Sequence, residues 1–144
     1  IGDRHGAVVN RLNELLVTRL TPRATISIQN PIRIDQHTEP QPDLVIAHRR
    51  DDFYASGKPG PADTYVVIEV GDSSARFDRV VKAPLYARSG VPEVWLVDLV
   101  ADEVRVLRAP GPDGYAGVSV KRRGETLVPE AFPDLVLRVD EVLG

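Results

Sequence analysis

Tyr65-Val66-Val67-Ile68-Glu69-Val70 decides the fold. The run is apolar and β-branched nearly throughout, which is the composition of a central strand covered on both faces. One residue breaks the rule, Glu69. A carboxylate in such a strand is costly unless it is paired or holds a cation, so this position calls for a chemical explanation as well as a structural one. Immediately downstream, Gly71-Asp72-Ser73-Ser74 supplies a turn rich in N-cap residues. The pattern then predicts a helix over 75–89, ended by Gly90 at the C-cap position and kinked at Pro84, which removes a backbone donor and crowds the preceding turn. A second buried strand is predicted at 93–99, EVWLVDL, with Trp95 in the core.

Working outward, Pro42 precedes a short apolar strand at 43–47, and an alternating pattern at 25–34 reads as another. Ahead of them, Val8, Leu12, Leu15, Leu16 and Leu20 recur at helical spacing, giving an amphipathic helix over 5–20 that Thr21-Pro22 stops. Residues 48–63 read as a long polar connection of the kind that is functional or mobile in a small domain. Beyond the second buried strand come strands at 104–108, 115–121 and 135–139. The order implies an α/β (α+β) fold with a mixed β-sheet flanked by helices. At 144 residues, with no dividing linker, residues 1–144 read as a single domain. The chain begins at Ile1 and contains no methionine, which suggests a start partway into a longer product and a missing N-terminal segment.

The absence of cysteine excludes disulfides and thiolate sites, and the three histidines have no metal-binding spacing. No apolar run approaches bilayer-spanning length, and the expectation is a cytoplasmic protein with no membrane contact. A net charge of −3 argues against tight nonspecific nucleic-acid binding, so any DNA contact is expected to be weak or metal-dependent.

Two acidic residues lodge in apolar strands, Asp43 after Pro42 and Glu69 before Val70. On neighbouring strands they could share a divalent ion, and hard oxygen ligands suit Mg²⁺ or Mn²⁺. On the predicted helix, Asp78, Lys82 and Tyr86 share one stripe at i, i+4 and i+8, beside an apolar stripe of Phe77, Val81 and Leu85. Lys82 would then reach back toward Glu69 and stabilise charge on a phosphate. Each residue also has a plain structural reading. Asp43 could open its strand, Glu69 could be solvated or pair with Arg76, and Lys82 could pair with Asp78. Tyr86 is expected to pack, and Asp98 to cap the turn that follows its strand. His5 could approach from the first helix. Arg49 and Arg50 could contact DNA, although Asp51 and Asp52 follow at once.

The run from Pro42-Asp43 through Ile68-Glu69-Val70, Asp78, Lys82, Tyr86, Gly90-Val91-Pro92-Glu93 and Trp95-Leu96-Val97-Asp98 resembles the Uma2 family, whose members are restriction-endonuclease-like and similar to PD-(D/E)XK nucleases. The resemblance extends from the helix with His5 to Phe132-Pro133-Asp134-Leu135. It implies a PD-(D/E)XK core with Asp43, Glu69 and the Val70 carbonyl as metal ligands. It implies hydrolysis of DNA phosphodiesters by Mg²⁺-activated water, with Lys82 as the catalytic lysine. The sequence departs from that pattern at residue 71, Gly in place of Lys, and the resemblance implies that the lysine has moved onto the following helix. A homodimer is expected, because cutting both strands needs two sites. The competing expectation is a nuclease-fold binding module without catalysis.

Overall fold

The computed structural model describes residues 2–72 and 82–144. Its frame is a six-stranded sheet in sequential order, β1 (Ala24–Ile28), β2 (Leu44–His48), β3 (Thr64–Gly71), β4 (Glu93–Asp98), β5 (Glu103–Gly111) and β6 (Gly114–Arg122). All neighbouring pairs are antiparallel except β3–β4, which is parallel. A parallel pair needs a crossover connection, and the chain between β3 and β4 carries the helix α2 (Ala83–Ser89). The tail adds a short ladder of β7 (Thr126–Leu127) with β8 (Leu137–Arg138), then the helix α3 (Val139–Leu143).

Strand alternation sorts the core into two layers. Leu44, Ile46, Val66, Ile68, Val70, Trp95, Val97, Val104 and Val106 face the long helix α1 (Asp3–Leu20), which buries Val8, Leu12, Leu16 and Leu20 against them. Val45, Ala47, Val67, Val94, Leu96 and Leu107 form the other face and pack with Ala83 and Tyr86 of α2. The sheet is thus covered on both sides, as the apolar composition of β3 requires. Among the described residues, no helix is long and apolar enough to cross a membrane.

Several boundaries differ from expectation. The strand predicted over 25–34 stops at Ile28, because Gln29 takes a left-handed φ of 51° and turns the chain out of the sheet. Ile32 and Ile34 instead bond to Pro40 and Thr38 in a loop of their own, with Ile32 buried over the α2-side core. The connection at 48–63 is more ordered than a bare loop, with turns at 51–56 and a 3-10 turn at Pro61–Asp63. The described part of the predicted second helix is α2; residues 75–81, including the turn that Pro84 would crowd, lie outside the described residues. Pro84 sits in the first turn of α2, where a missing N–H costs least. Gly90 ends α2 at φ 88°, as a C-cap glycine should. The ladder of β7 with β8 and the helix α3 exceed the single late strand that was expected.

At the end of the sheet where β4 begins, Glu93 is a second buried carboxylate. Its Oε2 accepts from the Trp95 indole N–H at 2.7 Å and from the Arg108 guanidinium at 3.1 Å, and its Oε1 accepts from the Glu130 amide at 2.9 Å. Arg108 also donates to the Val128 carbonyl at 2.6 Å, so the pair ties the tail segment to β4 and β5. Removing the acceptor strands a buried indole N–H and a guanidinium together. Glu93→Ala should therefore lower stability by on the order of 3 kcal/mol, read as the urea midpoint at constant m, with Glu93→Gln less damaging because one acceptor oxygen survives.

Candidate active site

Glu69 lies near the end of β3, one residue out of step with Ile68 and Val70, so its side chain leaves the sheet on the α2 face. It is 3% exposed. Three neighbours compensate its charge. The Asp43 amide donates to Glu69 Oε1 at 3.3 Å, and the Tyr86 hydroxyl donates to Oε2 at 3.1 Å. The Lys82 ammonium stands 3.2 Å from Oε2. On the adjoining strand the exchange is returned, since Asp43 Oδ2 accepts from the Val70 amide at 2.8 Å. The register that aligns Leu44 with Ile68 puts Asp43 next to Glu69 at the opening of β2.

The third element is the N-terminal turn of α1. His5 is buried, and its Nε2 lies 3.3 Å from Asp43 Oδ1, while Nδ1 is buried with no hydrogen-bond partner among the described residues. An imidazole that donates from Nε2 leaves Nδ1 as an acceptor without a donor. That imperfect arrangement holds the Asp43 carboxylate between a backbone amide and a ring.

The expected residues come together unequally. Asp43, Glu69, Lys82, Tyr86 and His5 meet in one set of contacts. The reading of Glu69 as a solvated strand end fails on its burial. Tyr86 does pack, being fully buried, but it also bonds Glu69, which the sequence reading missed. The signal was present. Tyr86 lies one helical turn beyond Lys82 and shares its face. Of the predicted apolar stripe only Leu85 is among the described residues, and it is half-buried, while α2 buries Ala83, Tyr86 and Ala87. Asp78, Arg76, Phe77 and Val81 lie outside the described residues. Asp98 behaves as a turn cap, its Oδ1 accepting from the Val100 and Ala101 amides, each at 3.0 Å. Arg49 and Arg50 stand elsewhere, over the rings of Phe53 and Tyr54, and only Arg50 pairs with Asp52.

Among the described residues, no group of three or more His, Asp or Glu side chains converges on a metal position. The pair Asp43 and Glu69 still fits a hard divalent ion by the chemistry of its donors. Mg²⁺ is commonly held by one or two carboxylates, with water and phosphate oxygens completing its shell. Each carboxylate oxygen that accepts one hydrogen bond keeps a lone pair for a cation.

The comparisons agree with this architecture. The crystal structure of a "putative nuclease belonging to DUF820" from Anabaena variabilis ATCC 29413 superposes with a TM-score of 0.76 at 14% identity, covering 99% of this chain and 82% of that one. At that identity the likeness speaks for the fold. No curated protein matches the chain. The family model described as "Uma2: Putative restriction endonuclease" matches residues 1–140, nearly the full length. By that match, the chain belongs to the Uma2 family.

Proposed function

We propose that this protein is a metal-dependent endonuclease that hydrolyses phosphodiester bonds in DNA. The observation that carries the reading is the buried Glu69 carboxylate, joined to Asp43 on one side and to Lys82 on the other. Family membership supports the same reaction class. Asp43 and Glu69 would hold Mg²⁺ or Mn²⁺, with the Val70 carbonyl as a further oxygen. When bound, the ion would supply an acidified water and polarise a phosphoryl oxygen. The chain's own groups do the rest. The Val70 amide and His5 fix the Asp43 carboxylate, and Tyr86 fixes that of Glu69. Lys82, with a side chain 31% exposed, can turn its ammonium toward an incoming phosphate and offset the charge that grows in the transition state. Asp98, occupied as a cap, takes no chemical part. Arg49 is the arginine better placed for a phosphate, since Arg50 is held by Asp52 and Ser56. Cutting both strands of a duplex makes the working form a homodimer.

A second reading has its own support. Glu69 and Asp43 are already compensated by protein donors, and the chain is acidic. A binding module without catalysis could keep this arrangement intact.

Thermal unfolding with and without Mg²⁺ or Mn²⁺ separates the two. The nuclease reading expects the parent to be stabilised by about 2.7 kcal/mol at a metal concentration one hundred times Kd, and expects Asp43→Asn and Glu69→Gln to lose that shift. The binding-module reading expects no metal shift in the parent, in Asp43→Asn or in Glu69→Gln. In a plasmid-nicking assay, Lys82→Ala should retain the metal shift and cut roughly 10²–10³-fold more slowly. Cleavage by Lys82→Ala at the parental rate would remove Lys82 from the mechanism.

A further inference from the structure

Among the described residues β1 is an edge strand paired with β2 alone, and beside it lies a cavity of about 520 Å³. Thr25, Ser27, Ile28, Asn30, Phe53 and Lys58 are among the residues that line it. The volume is that of a small-molecule site. One end adjoins the candidate active site: next to Asn30, the Gln29 amide donates to the Asp43 carbonyl at 2.9 Å.

The turn at the cavity's rim is built against conformational preference. Phe53 and Tyr54 are consecutive residues in the left-handed region, at φ 52° and 65°. Such backbone costs on the order of 1–3 kcal/mol per residue and persists only where its surroundings over-determine it. The surroundings here do so. The Asp52 carboxylate accepts from the Tyr54 amide, the Ser56 amide and the Ser56 hydroxyl, and Arg50 donates to the same hydroxyl at 2.8 Å. The Tyr54 hydroxyl reaches back to the His48 carbonyl at 2.6 Å. Burial pushes that phenol up to about 12, so it stays a donor through the neutral range. All this bracing holds out a phenylalanine that is 63% exposed, under the guanidinium of Arg49 at 4.8 Å. Among the described residues Arg49 makes no ion pair.

We infer that this cavity is a pocket for an unpaired nucleobase of a DNA strand, stacked on Phe53. The inference takes its substrate class from the nuclease reading above. A base presents an apolar face that stacks on an aromatic ring whatever its identity. The Asn30 side chain, whose Nδ2 donates to the Ser27 hydroxyl at 3.3 Å, offers polar groups to a base edge. Arg49 and Lys58, the latter shared with Glu39 at 2.9 Å, lie where the flanking phosphates would pass.

The test is fluorescence anisotropy with 5′-fluorescein oligothymidylate and with a blunt duplex of the same length, both in EDTA. The parent should bind the single strand more tightly than the duplex. Phe53→Ala should weaken single-strand binding by about tenfold or more, and Phe53→Trp should restore it. Because Phe53 is exposed, neither change disturbs the core. Parental affinity in Phe53→Ala, or no single-strand binding by the parent, overturns the inference and leaves the β1 edge open to a backbone partner. The two readings fail separately. A protein that needs Phe53 to bind the strand but never cuts DNA keeps the pocket and loses the nuclease. One whose Phe53→Ala variant binds oligothymidylate and nicks plasmid like the parent keeps the nuclease and loses the pocket.

Discussion

The arrangement at the head of the sheet follows from one constraint: a carboxylate buried at the end of β3 has to be compensated from several directions at once. Glu69 meets that demand with a backbone amide from β2, a phenol and an ammonium from the α2 region. No single element could supply all three. The parallel step between β3 and β4 brings the crossover helix over Glu69, and the antiparallel step between β2 and β3 brings the opening of β2 beside it. α1 closes the group from the opposite layer with His5. The fold gathers these side chains because together they solve an electrostatic problem there.

The far end of the sheet poses a similar problem and answers it differently. Glu93 is as deeply buried as Glu69, yet its partners are an indole, a guanidinium and an amide from the tail. Every one of those contacts ties chain to chain. Glu93 holds the tail in place, and each carboxylate pairs with a partly exposed cation, Arg108 at 37% for Glu93 and Lys82 at 31% for Glu69. Neither burial nor the exposure of the compensating cation separates the two; what sets Glu69 apart is the second strand-end carboxylate, that of Asp43, beside it.

Much of this was legible in the sequence, and the reasons differ by element. The β3 run and the stripe of α1 announce themselves because periodicity is local and the burial is strong. Asp43 and Glu69 stood out because acidic residues in apolar strands are expensive. What was not legible depends on contacts between distant segments. The early stop of β1 rests on one positive φ at Gln29, to which the alternation of Ile32 and Ile34 gives no clue. That α2 buries Tyr86 against Glu69 is a tertiary contact that the apolar stripe does not foretell. Glu93 read only as the first residue of a strand, since its partners Arg108 and Glu130 lie far along the chain.

The bond from the Val70 amide to the Asp43 carboxylate has a consequence for the lineage of such proteins. Strand β2 begins at Leu44, so at this level the side chain of Asp43 stands in for a rung that the backbone of β2 does not provide. An ancestor that traded Asp43 for an apolar residue would have frayed the sheet as well as altered the chemistry. A lineage that gave up cleavage would therefore still be under pressure to keep an acceptor at this position. Persistence of Asp or Asn there would record architecture, whatever became of the chemistry.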